Sequence, residues 1–204
     1  LDFARERSES PWPALRVIAL ALSDRGQESL EQVKRHFPEP GPRPLPNAAA
    51  ALACLHSLGR ATGFSEPMFL AKRALTYLLR IEAAPIGTGP ASLFARYVLG
   101  AAYVMLPDFF DTAGRGVKLL AELASRLEGG KLKGGGVSAG FKRLLQEEAL
   151  PAAEVRVHWF LARGWIRLGE IREARASLDR VILLSDPSSP LSLRARMERA
   201  GLGV

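Results

Sequence analysis

Three histidines and one cysteine are the side chains of this 204-residue sequence best suited to proton transfer, nucleophilic attack or metal binding. His36, His56 and His158 fall on three different predicted helices. Cys54 and His56 share one helix, but at a separation of two residues they point to different sides of it. A zinc site needs three or four ligands, and this spacing brings no such set together. The sequence therefore predicts no catalytic residue, no metal ligand and no cofactor.

Short motifs of known enzymes receive little support from the sequence. It contains no HExxH or GxGxxG motif, and its one GxSxG match, GVSAG at 136–140, is not preceded by the predicted strand that a nucleophile elbow requires. The glycine-rich stretch GGKLKGGG, 129–136, lacks the order GxxxxGK followed by Ser or Thr that a phosphate-binding loop requires. Glu147 and Glu148 are neighbours on one helix rather than a carboxylate pair across a cleft. We expect a protein that is not an enzyme, and a catalytic site assembled from distant residues stays open as the alternative.

Two predicted helices each carry a stripe of similar side chains. One stripe consists of arginines around a tryptophan, and the other is apolar and partly aromatic. Their members share a helix face at spacings of three and four: Arg156, Trp159, Arg163 and Arg167 over 155–168, and Phe94, Tyr97, Ala101 and Met105 over 92–106. Guanidinium groups bind carboxylates in pairs, and tryptophan adds apolar contact. We expect one groove that binds an extended or helical acidic peptide. In the alternative, the aromatic residues are core and the arginines form a solvated face.

A second candidate site is the segment LPDFFDTAG, which interrupts the helical pattern. Phe109 and Phe110 lie in this predicted loop, between Asp108 and Asp111. Adjacent exposed phenylalanines would indicate contact with a partner. The favoured interpretation is that they fold back and fill the gap that the insertion makes.

The composition limits the class of protein. The net charge is +7, which fits a nucleic-acid-binding protein, but acidic residues interrupt the basic runs. A single cysteine excludes an intramolecular disulfide, and no run of about 18 apolar residues predicts a membrane span. The start at Leu1 rather than Met indicates that an N-terminal segment was removed or trimmed, and the sequence leaves the compartment open between cytoplasmic and bacterial periplasmic or secreted after signal removal.

Helical periodicity extends over most of the chain, and no segment alternates convincingly with a strand period, so the sequence predicts an all-α protein. Five prolines lie in the connection over 38–46, which we expect to be a rigid, non-helical linker. The helix over 66–81 is expected to have its inner stripe at Met68, Ala71, Leu75 and Leu78. Further helices are expected over these ranges: 12–22, 27–37, 48–61, 92–106, 115–129, 141–150, 152–169, 170–185 and 191–201.

The last helix pair carries a repeat pattern: a large and a small residue, an aromatic one, a turn glycine, a second small residue, a bulky residue and a proline. These are Leu161, Ala162, Trp165, Gly169, Ala174, Leu178 and Pro187. Weaker versions stand earlier in the chain, at Leu99, Gly100, Tyr103, Gly116, Leu120 and Leu123, and at Leu52, Ala53, His56, Ala71 and Leu75. In these residues the chain resembles a tetratricopeptide-repeat (TPR) protein.

The resemblance implies a single domain, 1–204, built as a right-handed superhelix of antiparallel helix pairs with a C-terminal capping helix. Its parts are an N-terminal helix pair over 12–37 and the proline-rich connection over 38–46. Two degenerate repeats follow over 47–85 and 91–128, then the best repeat over 155–188 and the capping helix over 190–201. It also implies a protein-interaction scaffold that recognises a protein or peptide without chemistry. A small-ligand or lipid carrier associated with a cell-envelope transporter is the alternative, and a basic nucleic-acid-binding protein is a further one.

Overall fold

The computed structural model describes residues 12–23, 25–63, 65–84, 90–106, 110–128 and 153–203. Within these ranges the protein is all-helical, with nine α-helices and no strand. None of these helices is long and apolar enough to cross a membrane. Their bounds are α1 Trp12–Leu22, α2 Gly26–His36, α3 Pro44–Leu58, α4 Ser65–Ala83, α5 Pro90–Met105, α6 Ala113–Glu128, α7 Ala153–Leu168, α8 Ile171–Leu184 and α9 Pro190–Gly201. The helix predicted over 141–150 lies outside the described residues.

The chain divides into two compact units, which are described separately. The N-terminal unit comprises residues Leu1–Ile86 and contains α1 to α4. The C-terminal unit comprises residues Gly87–Val204 and contains α5 to α9.

Helix α3 forms the centre of the N-terminal unit. It packs against α1, α2 and α4. Its alanines from Ala48 to Ala51 are fully buried, as are Ala53 and Cys54. Small side chains on several sides of a helix allow its neighbours to pack close to it, because the interaxial distance depends on the side chains at the contact.

The proline-rich connection is shorter than the sequence predicts. Helix α3 begins at Pro44, so Pro44 and Pro46 are helical, and the prediction of a non-helical linker up to residue 46 is wrong at its end. The first-turn amides of a helix have no intrahelical acceptor, so proline loses no hydrogen bond there. The remaining connection is attached by side chains: the Asn47 amide donates to the Gly41 carbonyl (2.8 Å) and accepts from its N–H (3.1 Å).

Two residues of α4 hold the start of this connection. The Tyr77 hydroxyl donates to the Phe37 carbonyl at 2.5 Å, and the Arg73 guanidinium donates to the Pro38 carbonyl at 3.4 Å. Burial raises the pKa of Tyr77, and Arg73 opposes that rise. The connection is therefore fastened at both ends to helices of the same unit.

The buried stripe of α4 differs from the one predicted. Met68 is 56% exposed, whereas Leu78 is fully buried and Ala71 and Leu75 are half-buried. The assignment of Met68 to the inner face is therefore wrong. Apolar residues occur on opposite sides of this helix, so periodicity alone does not decide which side packs. The residues that are buried belong to one stripe: Leu70, Ala74, Tyr77, Leu78 and Ile81.

The C-terminal unit consists of two helix pairs and a final helix. Helix α5 packs on α6, α7 packs on α8, and α7 also contacts α6 and α5. The α7–α8 turn is made by Gly169, whose φ of +77° suits glycine, and Glu170. Helix α9 packs on α8; the Ser189 hydroxyl caps its N-terminus by accepting from the Ser192 N–H, with Pro190 in the first turn.

Glycines allow α5 and α6 to touch backbone to backbone. A Cβ added at Gly116 would lie 2.8 Å from the Gly100 carbonyl oxygen and 2.9 Å from the Val104 amide nitrogen. A Cβ added at Gly164 of α7 would lie 2.3 Å from a methyl carbon of Val117. Three glycines on three helices therefore allow close packing in this unit: a side chain at Gly116 would meet backbone, whereas one at Gly100 or Gly164 would meet the side chain of Leu120 or Val117.

Four of the seven residues of the predicted repeat are buried in the α7–α8 pair, whereas Trp165 is half-buried and Gly169 and Pro187 are exposed. Leu161 and Leu178 are buried, and Ala162 and Ala174 are fully buried between the two helices. The predicted capping helix α9 contributes Ala195 to the same core. Its outer face is partly apolar, because Leu193 and Met197 are exposed on it.

Candidate functional site

The predicted groove residues lie on α5 and α7 of the C-terminal unit, and α9 adds further side chains beside α7. The side chains that come together are three arginines and three aromatic residues, and we call them the arginine–aromatic face. They are Tyr97 of α5, Arg156, Trp159, Phe160 and Arg163 of α7, and Arg194 of α9. All except Arg194 are half-buried, so this face presents side chains that are held in place yet reach solvent.

Trp159 anchors one end of this face. Its ring packs partly buried against the core formed by α7, α8 and α9, whose members include Val155 and Leu178. The Arg194 guanidinium carbon lies 5.4 Å from the centre of the indole ring, a cation–π distance. Helix α9 therefore adds a cation to the outer side of the tryptophan.

Two arginines of the face share one carboxylate. Arg163 Nη1 lies 2.9 Å from Glu198 Oε1, and Arg194 Nε lies 3.5 Å from the same oxygen. The other oxygen, Glu198 Oε2, is buried and accepts no hydrogen bond from the described residues. The pair of guanidinium groups therefore carries one more positive charge than the carboxylate neutralises.

Tyr97 forms the aromatic end of the face. Its ring centre lies 6.0 Å from that of Phe160 in an edge-to-face arrangement, and 6.3 Å from that of Phe94. Burial raises the pKa of Tyr97, and the neighbouring Arg156 opposes that rise. The hydroxyl thus stays protonated at neutral pH and acts as a hydrogen-bonding group, not as a base.

Three predicted groove residues do not join the face. Phe94 is only 2% exposed and belongs to the core, whereas Met105 is 58% exposed at the end of α5. Arg167 points to the end of α5, where its Nη1 donates to the Val104 carbonyl and, at 2.5 Å, to the Leu106 carbonyl. This cation meets the negative end of the helix dipole and serves to hold α5 against α7.

The second candidate is described only in part. Phe109 lies outside the described residues, and Phe110 is half-buried. The neighbouring Thr112 hydroxyl donates to the Tyr103 carbonyl at 2.9 Å, which ties this segment back to α5.

Three residues of the site escaped the sequence reasoning. Phe160 is at the same helical spacing as Arg156 and Arg163, so its position was a detectable signal. Arg194 and Glu198 are four apart on α9, in a segment that the sequence predicted only as a capping helix. Their contact with α7 depends on tertiary packing and leaves no local pattern.

The thiol of the single cysteine is not placed for nucleophilic attack. Cys54 is fully buried, and burial raises the pKa of its thiol to about 11, against the opposing effect of Arg73. The thiol is therefore protonated at neutral pH and inaccessible to a substrate. Within the described ranges, no group of three or more His, Cys, Asp and Glu residues is placed to hold a metal ion.

Comparison with known proteins provides no family for this chain. No family model, no curated protein and no solved structure matches it significantly. Its function is therefore argued from its own side chains.

Proposed function

We propose that this protein is a non-catalytic interaction module that binds an acidic peptide or protein segment on the arginine–aromatic face. Arg156, Arg163 and Arg194 supply donors for carboxylates, and Trp159 and Tyr97 supply flat apolar surface beside them. Aromatic residues and arginine are the side chains that most often dominate binding energy at protein interfaces.

One observation carries the proposal: three guanidinium groups lie on this face, and Glu198 is the carboxylate that pairs with two of them. A partner with acidic residues would offset the excess positive charge of the face. Steering by this charge would raise the rate of encounter with such a partner.

A tetratricopeptide-like arrangement of α5 to α9 belongs to the same proposal. In such repeats the first helix of each pair lines a concave surface. The packing of α7 on both helices of the preceding pair, and the small residues Gly100, Gly116 and Ala162 at the helix contacts, support this arrangement. Helices α5 and α7 would then line the binding surface, with α9 as the cap that closes it.

The alternative of an apolar ligand carrier has less support from the described residues. Phe94 and Met105, which would line its cavity, are respectively buried in the core and open to solvent. A depression of about 500 Å³ does lie between α8 and α9, but its lining includes three arginines and an aspartate, which do not suit a lipid chain: Arg172, Arg175, Asp179 and Arg199.

A peptide-display selection against the full chain tests the proposal. We expect the selected peptides to be enriched in Asp and Glu next to an aromatic or aliphatic residue. Arg194→Glu should abolish their binding, because it reverses the charge above Trp159. Binding should also weaken steeply as salt is raised, since the contacts are between charges.

Arg196→Glu provides the matched control. Arg196 is an exposed arginine on the same helix, two residues away, so it lies on another side of α9. If the selected peptides are not acidic, or if Arg194→Glu and Arg196→Glu bind them equally well, the arginine–aromatic face is not the binding site. Circular dichroism on both variants verifies that α9 remains folded.

A further inference from the structure

The outward side of α4 in the N-terminal unit exposes an apolar strip. Met68 is 56% exposed, Phe69 is 59% exposed and Leu79 is 49% exposed. They spread over about 16 Å of helix, at 1.5 Å per residue. Large apolar side chains that cluster in this way on one helix are typical of an interaction surface.

The exposed residues follow the spacing of a helix–helix seam. Met68, Lys72, Thr76, Leu79 and Ala83 are all exposed and are separated by four, four, three and four residues; we call them the outer seam of α4. These separations average close to the 3.6 residues of a helical turn, so the side chains form one stripe that a second helix can cover over this short length. The Thr76 hydroxyl donates to the Lys72 carbonyl at 2.9 Å, so it needs no partner across the seam.

The charge on the seam limits which partner it can accept. No carboxylate among the described residues pairs with Lys72 in the seam or with Arg80 on its flank. An apolar helix laid on the seam would bury the Lys72 ammonium without a counter-charge, at a high free-energy cost. An acidic residue at the facing position removes that cost and fixes the register.

A second copy of α4 does not satisfy this requirement. In a parallel pair, Lys72 would face the same lysine of the other copy. In an antiparallel pair centred on the seam, Lys72 would face Leu79 rather than a carboxylate. Both arrangements disfavour self-association through this surface.

We propose that the outer seam of α4 is a docking surface for an amphipathic helix of another protein, whose apolar stripe carries one acidic residue opposite Lys72. This surface lies in the N-terminal unit and uses none of the residues of the arginine–aromatic face. The protein would thus have two separate interaction surfaces, both selective for acidic partners.

Three synthetic helical peptides test this inference. They share a leucine seam and differ only in the central seam residue, which is Glu, Gln or Lys. Fluorescence anisotropy measures their binding to the full chain. We expect the Glu peptide to bind about tenfold more tightly than the Lys peptide, the Gln peptide to fall between them, and Lys72→Glu to reverse this order.

Two further variants separate the seam from general charge effects. Leu79→Ser should weaken the binding of all three peptides, because it removes apolar contact. Lys118→Glu changes an exposed lysine on α6 and should leave the order unchanged. Each of these side chains is exposed, so the variants should fold, as circular dichroism can verify.

Several results of these experiments would contradict the proposed docking surface. If no peptide of the set binds, or if all three bind equally, the inference is overturned. It is also overturned if the full chain sediments as a dimer that Leu79→Ser dissociates, since a second copy would then cover the seam. Cosedimentation with phosphatidylserine vesicles that Lys72→Glu abolishes would assign the surface to lipid instead.

Discussion

Alanine at Gly116 should destabilise the C-terminal unit, whereas alanine at Gly114 should not. Both glycines belong to α6, two residues apart. A Cβ at position 116 would lie 2.8 Å from the Gly100 carbonyl oxygen and 2.9 Å from the Val104 amide nitrogen, whereas a Cβ at position 114 has nothing within 4 Å. Backbone atoms cannot rotate away, so α5 and α6 would have to move apart.

The expected magnitudes follow from two opposing effects. Gly→Ala within a helix stabilises by up to about 1 kcal/mol. Insertion of a methyl group into a packed interface costs about 1 to 3 kcal/mol, and contact with backbone places Gly116 at the upper end. We therefore expect Gly116→Ala to lower the free energy of unfolding by about 2 kcal/mol. Gly114→Ala should raise it by about 0.5 kcal/mol, less than the full amount because residue 114 lies in the first turn.

Urea denaturation followed by tryptophan fluorescence measures both variants. Two of the three tryptophans, Trp159 and Trp165, lie on α7 and report on the C-terminal unit. The melting temperature of Gly116→Ala should fall by about 4 to 8 °C in a chain of this size. If Gly116→Ala is as stable as Gly114→Ala, the two helices do not approach at these glycines and the reasoning is wrong.

Three further outcomes are expected. Gly164→Ala should also destabilise the C-terminal unit, but here the nearest atom is a side-chain methyl of Val117. The double variant Gly164→Ala, Val117→Ala should therefore be more stable than the sum of the two single changes predicts. A double-mutant cycle measures this difference. Arg167→Ala should lower the free energy of unfolding by about 1 to 2 kcal/mol, because it removes two charged hydrogen bonds at the end of α5. In the same urea titration, Arg167→Lys should restore only part of the lost free energy of unfolding. The Cys54 thiol has a folded pKa of about 11 against an ordinary value of 9.0, so its contribution to stability is complete below pH 9 and is lost as the pH rises to about 11. Cys54→Ala should remove this part of the alkaline loss, which is at most about 3 kcal/mol, and the wild-type thiol should react with a disulfide reagent only after unfolding.

The sequence predicted the C-terminal helix pair because its packing is local. Leu161 and Leu178 lie on helices joined by a two-residue turn, so the periodicity of each helix and the turn glycine determine how they meet. The same reasoning predicted the all-α class, since no competing strand pattern exists.

Long-range contacts could not be predicted in this way. Arg167 finds its acceptors more than 60 residues earlier in the chain, and backbone carbonyls at a helix end leave no mark in the sequence. Glu198 contacts Arg163 across 35 residues. Met68 was misplaced because α4 has apolar residues on opposite sides, and only the position of α3 decides which side is buried.

The proline-rich connection has a consequence for the unfolded chain. Each proline between residues 38 and 46 restricts its own φ angle before folding as well as after it. Ordering this segment therefore sacrifices less conformational entropy than ordering a flexible linker would, and a few hydrogen bonds from Asn47, Arg73 and Tyr77 suffice to hold it. Replacing Pro40 or Pro42 with alanine should leave every folded contact unchanged and still destabilise the protein by up to about 1 kcal/mol. Part of the stability of this fold thus comes from the lower conformational entropy of its unfolded chain.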